Sequence, residues 1–113
     1  MQNQVLIAKV SNEFKIHTNL DVKDSTFITN LLFNYVQQGK ITFELKSKSG
    51  SIANEIIINV LGGLFSAVLY DLIKKLHQYI KEKKKDKKVN PIYIFTEKKE
   101  YVLTGEESDN IPD

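Results

Sequence analysis

The chain of 113 residues contains no cysteine, and each of its 16 basic residues is a lysine, with no arginine anywhere. Lack of cysteine excludes disulfides, thiolate metal ligands and a cysteine nucleophile, and it accords with a reducing compartment, so a cytoplasmic protein is expected. Lack of arginine removes the side chain that best reads guanine, phosphate and carboxylate through two parallel hydrogen bonds. Sequence-specific DNA reading and an arginine-finger mechanism are therefore not expected. Strong charge of one sign is also missing: the net charge is +2, too small to dictate a nucleic-acid or membrane partner. Residues 1–4 lack a basic region leading into a long apolar run, so no secretory signal is expected.

What is present is ordinary globular material. A hydrophobic content of 42% supports a core without staples, and the length suits one domain. The organisation expected is a single α+β domain over residues 1–105, followed by an acidic tail, 106–113, with little to bury and expected to fray.

Val5 to Val10 reads as a strand, and Phe14 to His17 as a short second strand or the continuation of the first after a bulge. A helix follows, capped at Asp24 or Ser25. Its apolar face is Phe27, Ile28, Leu31, Leu32, Tyr35 and Val36, and Gly39 stands where a left-handed residue ends a helix. Ile41 to Lys46 alternates strictly, as in a sheet covered on one side, and Ser47 to Ser51 reads as a loop.

The segment from Ile52 to Lys85 is ambiguous. Leu64 to Ile80 carries a long apolar stripe at helical spacing. Upstream, Glu55 to Val60 is β-branched, but helix is the reading favoured on both sides of Gly62 and Gly63, with a bend at the glycines. Pro91 then introduces a hairpin formed by Ile92–Phe95 and Tyr101–Thr104. The fold expected is a two-layer α+β sandwich, a small mixed or antiparallel sheet with two helices on one face, in the order β(β)-α-β-α-β-β.

Chemistry-bearing patterns are sparse. Lys81, Lys83, Lys84, Lys85, Lys87 and Lys88 form a basic run that is a candidate anion-binding patch. The competing reading is a solvated helix end, where cations complement the macrodipole, and the run has no interleaved aromatics for base stacking. Ile56 to Ile73 approaches the ~20-residue length of a bilayer span, but Asn59 and Asp71 interrupt it, so a buried core helix is preferred over a membrane role. His17 and His77 have no second ligand at metal-binding spacing, no serine sits in a nucleophile elbow, and the glycine doublet lacks the pattern of a phosphate loop. No catalytic, cofactor or metal site is expected.

From Leu61 to Thr104, a glycine doublet precedes an amphipathic helix, a basic helix end at Lys81–Lys88 and a terminal hairpin. This layout resembles the effector-associated constant component domains of bacterial conflict systems. The chain departs from that group in lacking arginine, a late helical tryptophan and a glycine in the hairpin turn, which here is Glu97-Lys98-Lys99. The resemblance covers about two-fifths of the chain and implies a non-catalytic adaptor in prokaryotic defence.

The function expected is a protein–protein interaction or adaptor module with no enzymatic activity, bacterial or phage-encoded. Its edge would lie on the C-terminal hairpin, and Phe33, Tyr70, Tyr93 and Tyr101 are its candidate interface aromatics. The alternative is non-specific nucleic-acid or anionic-surface binding through the lysine run. A homodimer is a general prior that no residue demands.

Overall fold

The computed structural model describes residues 12–18, 22–46, 55–86, 88–107, 109 and 111. The elements are β1 (Glu13–His17), α1 (Val22–Gln37), β2 (Ile41–Lys46), β3 (Glu55–Val60), α2 (Phe65–Lys84), β4 (Ile92–Phe95) and β5 (Glu100–Leu103). The five strands form one sheet in the order β2-β3-β1-β4-β5, with every neighbouring pair antiparallel. Both helices lie on one face of it, giving the two-layer α+β arrangement.

Alternation along each strand decides which face is covered. Phe14, Ile16, Ile56, Ile58, Ile94 and Leu103 point toward the helices and are buried. From the helices, Ile28, Leu32, Leu72, Ile73 and Leu76 meet them with essentially no exposed surface. Each such side chain contributes roughly 1.5–3 kcal/mol on leaving water, so this shared core is the main source of stability.

The two helices run antiparallel, side by side, and three contacts hold them together. Tyr79 donates a hydrogen bond of 2.6 Å to Asp24 and stacks on Phe27 at 4.0 Å between ring centroids. Lys83 pairs with the same Asp24 carboxylate. At the other end the Tyr35 hydroxyl donates to Asp71.

Three expectations require correction. Residues 55–60 are strand β3 rather than helix, because Ile56, Ile58 and Val60 reach the core by alternation. A β-branched run loses rotamer freedom in a helix and packs well in an interior strand. Gly62 and Gly63 therefore form the turn from β3 into α2, not a bend within one helix. Helix α1 starts at Val22, which puts Asp24 in its first turn, where a carboxylate favours the positive helix end, rather than at the cap. The helix stop at Gly39 has the expected left-handed backbone, φ 72°. Gly39 N–H donates to the Val36 carbonyl and Lys40 N–H to that of Tyr35, the paired bonds of a Schellman motif.

The strand expected at Val5–Val10 and the loop at Ser47–Ser51 lie outside the described residues. Of the tail expected to fray, Glu106 and Glu107 are exposed, whereas Asp109 is held on the body of the fold and Ile111 packs against the core. The Asp109 carboxylate accepts hydrogen bonds from the Thr104 and Gly105 amides and the Thr104 hydroxyl, and it meets His77 Nδ1 at 2.9 Å. No helix among the described residues is long and apolar enough to cross a membrane.

Candidate interaction surfaces

A five-stranded open sheet with helices on one side presents two edges and one face to other molecules. The hydrogen-bond phase determines what each edge offers. Val60 N–H donates to the Asn12 carbonyl and Leu61 N–H to that of Lys40. Even-numbered β3 residues therefore bond to β1 and odd-numbered ones to β2. In β2, Thr42, Glu44 and Lys46 direct their backbone groups inward, so those of Ile41, Phe43 and Leu45 point away from the sheet.

The same logic at the other edge starts from the hairpin closure, where Thr96 N–H donates to the Lys99 carbonyl at 2.8 Å. Tyr101 and Leu103 then bond to β4, which leaves Glu100 and Val102 facing outward. Beyond them, Asp109 already takes the Thr104 and Gly105 amides. The hairpin edge anticipated as the docking strand is thus short and blunted by the residues that follow it, while β2 is longer and keeps three outward residues.

On the sheet face away from the helices, Tyr93 and Phe95 stack at 6.4 Å with an interplanar angle of 13°. Val102 stands opposite Tyr93 in the hairpin register. Phe95 is 39% exposed and Val102 41%. Lys15 lies opposite Phe95 and His17 opposite Tyr93 on β1, so the apolar row has a polar margin.

The anticipated interface aromatics separate in space. Tyr93 belongs to this open face. Phe33, 50% exposed on α1, meets Phe43 of β2 edge-on at 5.4 Å. Tyr101 is only 7% exposed and faces the helices, so it is core rather than surface. Its phenol is raised above the usual range, first by burial and then by the neighbouring Tyr70. Tyr70 is itself half-buried against the core. Phe95, Val102 and Leu45 were not singled out from the sequence. Strict alternation about Tyr101 and Leu103 was the signal that placed Val102, and with it Phe95, on the opposite face.

The lysine run is largely engaged by carboxylates. Lys81 pairs with Glu107 at 2.9 Å, Lys84 with Glu106, Lys85 with Glu82 at 3.3 Å, and Lys83 is mostly buried against Asp24. The Lys81 ammonium is raised and the Glu107 carboxyl lowered by this contact. Lys88 is exposed, and the side chain of Lys87 lies outside the described residues.

Two polar clusters bridge the helices. In one, Asp71 receives the Tyr35 hydroxyl and pairs with Lys75 at 3.0 Å. The Tyr35 hydrogen bond is the main cause of its carboxyl lying below the usual range. Burial first, and Asp71 second, push the Tyr35 phenol far up. An open cleft of about 310 Å³ lies beside this cluster, bounded by Lys40, Leu64 and Ala67. The other cluster is the Asp24–Tyr79–Lys83 contact. Both consist of mutually satisfied partners tying α1 to α2. Among the described residues, no group of three or more histidine, aspartate or glutamate side chains could hold a metal ion.

Comparison with protein-family models, with curated proteins and with solved structures finds no match to this chain.

Proposed function

We propose that the protein is a non-enzymatic protein–protein interaction module that takes its partner on the open face of the β4–β5 hairpin. The observation that carries this reading is the stacked Tyr93–Phe95 pair, extended by Val102, on the sheet face opposite the helices. Rigid aromatic anchors on a strand surface give large contact area at little entropic cost, and a polar margin keeps such a patch soluble. An adaptor of a prokaryotic conflict system, the role implied by the layout of the C-terminal half, is a protein of this kind. Pairing of Lys81, Lys83, Lys84 and Lys85 with carboxylates supports a protein partner over an anionic polymer.

The test is capture from a native lysate after nuclease treatment, with wild type, Phe95→Thr/Val102→Thr and Lys84→Gln/Lys85→Gln/Lys88→Gln as parallel baits. Threonine keeps the β-branched preference for strand, so the first variant removes the anchor and not the sheet. A stoichiometric protein captured by wild type and by the lysine variant, with about tenfold or greater weakening in Phe95→Thr/Val102→Thr, is the expected result. Capture that disappears with nuclease, or that survives loss of the anchor, refutes the proposal.

A further inference from the structure

We propose that β2 is a self-association edge, through which a second copy of this chain adds its own β2 antiparallel in one defined register. This surface is separate from the hairpin face and does not depend on it. Three observations converge here. The backbone groups of Ile41, Phe43 and Leu45 point away from β3, as the bonding phase of β1, β3 and β2 requires. Leu45 is 45% exposed although it stands on the helix side of the sheet, and the exposed Phe33 borders the same edge through Phe43. The third observation is the charge order on the opposite face, where Glu44 and Lys46 stand two residues apart.

A two-fold axis between antiparallel copies pairs residues whose numbers have a constant sum, and matching faces require that sum to be even. Three registers centre on the strand. Centring on Glu44 sets the two Glu44 carboxylates against each other. Centring on Phe43 puts Lys46 opposite Lys40 of the second copy at both ends. Centring on Leu45 makes Leu45 face its counterpart on the helix side and sets Glu44 opposite Lys46 twice on the other side. Those Glu–Lys pairs fall at non-hydrogen-bonded positions, where cross-strand side chains stand closest. In the chain itself Lys46 already lies opposite Glu55, so the charges alternate across the seam. The charge pattern selects the third register and works against the other two.

The product is a continuous ten-stranded sheet with all four helices on one side. Its hairpins lie on the same open face at opposite ends, about 40 Å apart for a strand spacing near 4.8 Å. One dimer thus presents two partner-binding faces.

Sedimentation velocity over a concentration range reads the association, and the charge pattern supplies a specific test. Glu44→Lys and Lys46→Glu should each weaken self-association by about tenfold or more, since both turn two attractive pairs into repulsive ones. Mixed together, the two single variants should form heterodimers, because each restores the other's complement. Circular dichroism of each variant establishes that the fold is kept. The cysteine-free chain also allows Leu45→Cys as a clean probe. Opposed Cα atoms at a hydrogen-bonded pair lie about 5.5 Å apart, within disulfide reach, so mild oxidation should give a covalent dimer from folded protein. A wild type that stays monomeric at high concentration overturns the proposal. So does a folded pair of charge variants that associate no better mixed than alone, or a folded Leu45→Cys variant that fails to cross-link.

Discussion

Substituting alanine at Gly105 and, separately, at Gly39 distinguishes a residue required by its backbone from one required by its neighbours. Both glycines have positive φ, 85° and 72°. A Cβ in that region costs about 1–2 kcal/mol, and the loss of glycine's freedom in the unfolded chain offsets about 0.4–1 kcal/mol of it. Gly39 has nothing within 4 Å of where a Cβ would stand, so Gly39→Ala should cost about 1 kcal/mol or less. At Gly105 the added Cβ would sit 2.8 Å from Ile80 Cγ2 and 3.3 Å from the backbone of Lys81. Ile80 is a buried core residue and Lys81 backbone is part of α2, so neither can withdraw cheaply. Overpacking of this sort adds about 1–3 kcal/mol, for a total of roughly 2–4 kcal/mol at Gly105. Urea unfolding of the three proteins, with a common slope, measures the difference directly. In melting temperature the gap should be several degrees, at about 4–8 °C per kcal/mol for a domain near this size. Equal destabilisation by the two substitutions would refute the argument that Gly105 is a close-approach position where the chain crosses α2.

Three further outcomes follow from the same contacts. Burial works to raise the Asp109 carboxyl, but hydrogen bonds from Thr104, Gly105 and His77 outweigh it and hold it below the usual range. A lowered carboxyl contributes stability above its unfolded value that is lost as pH falls through the folded one, so stability should drop below pH ~4. With its side chain 4% exposed, Asp109→Asn should cost about 2 kcal/mol at pH 7, and its deficit should shrink in acid; a deficit independent of pH in chemical denaturation excludes the ionised form as the cause. Leu72→Ala, at a position with no exposed surface between the two layers, should cost about 2–5 kcal/mol in the same assay, and less than about 1 would mean the layers close over the cavity. Tyr35→Phe should cost about 1 kcal/mol and return Asp71 toward an ordinary carboxyl titration followed by NMR.

Much of the fold was legible because periodicity and burial agree. Helix α1, its stop at Gly39, the alternation of β2 and the terminal hairpin all follow from side-chain pattern. Residues 55–60 were misread since Ile56-Ile57-Ile58 is apolar on both faces, and a short run of that kind has no period to separate helix from strand. Its place between β2 and β1, set by pairing with residues far away in the chain, decided the matter. The surfaces were less legible. Whether an aromatic on a strand is anchor or core depends on which parity the helices cover, so Tyr93 and Tyr101, both on the hairpin, ended on opposite faces. The lysine run was misleading for another reason: its partners Glu106 and Glu107 come from the end of the chain, and composition cannot anticipate that neutralisation.

Strand order carries a consequence for how the molecule is made. β1 is the earliest strand described and the middle one of the sheet, whereas β2–β3 and β4–β5 are each joined by neighbours in sequence. During synthesis the central strand emerges first, but its two pairing partners come tens of residues later, the last only after α2 is complete. Closing such long loops is entropically slow. The two outer strand pairs should therefore form as separate units, joined when β1 inserts between them and the core is sealed. Pulse-labelled amide exchange during refolding should show Phe14 and Ile16 gaining protection no earlier than the β4–β5 turn; protection there first would reverse this order of assembly.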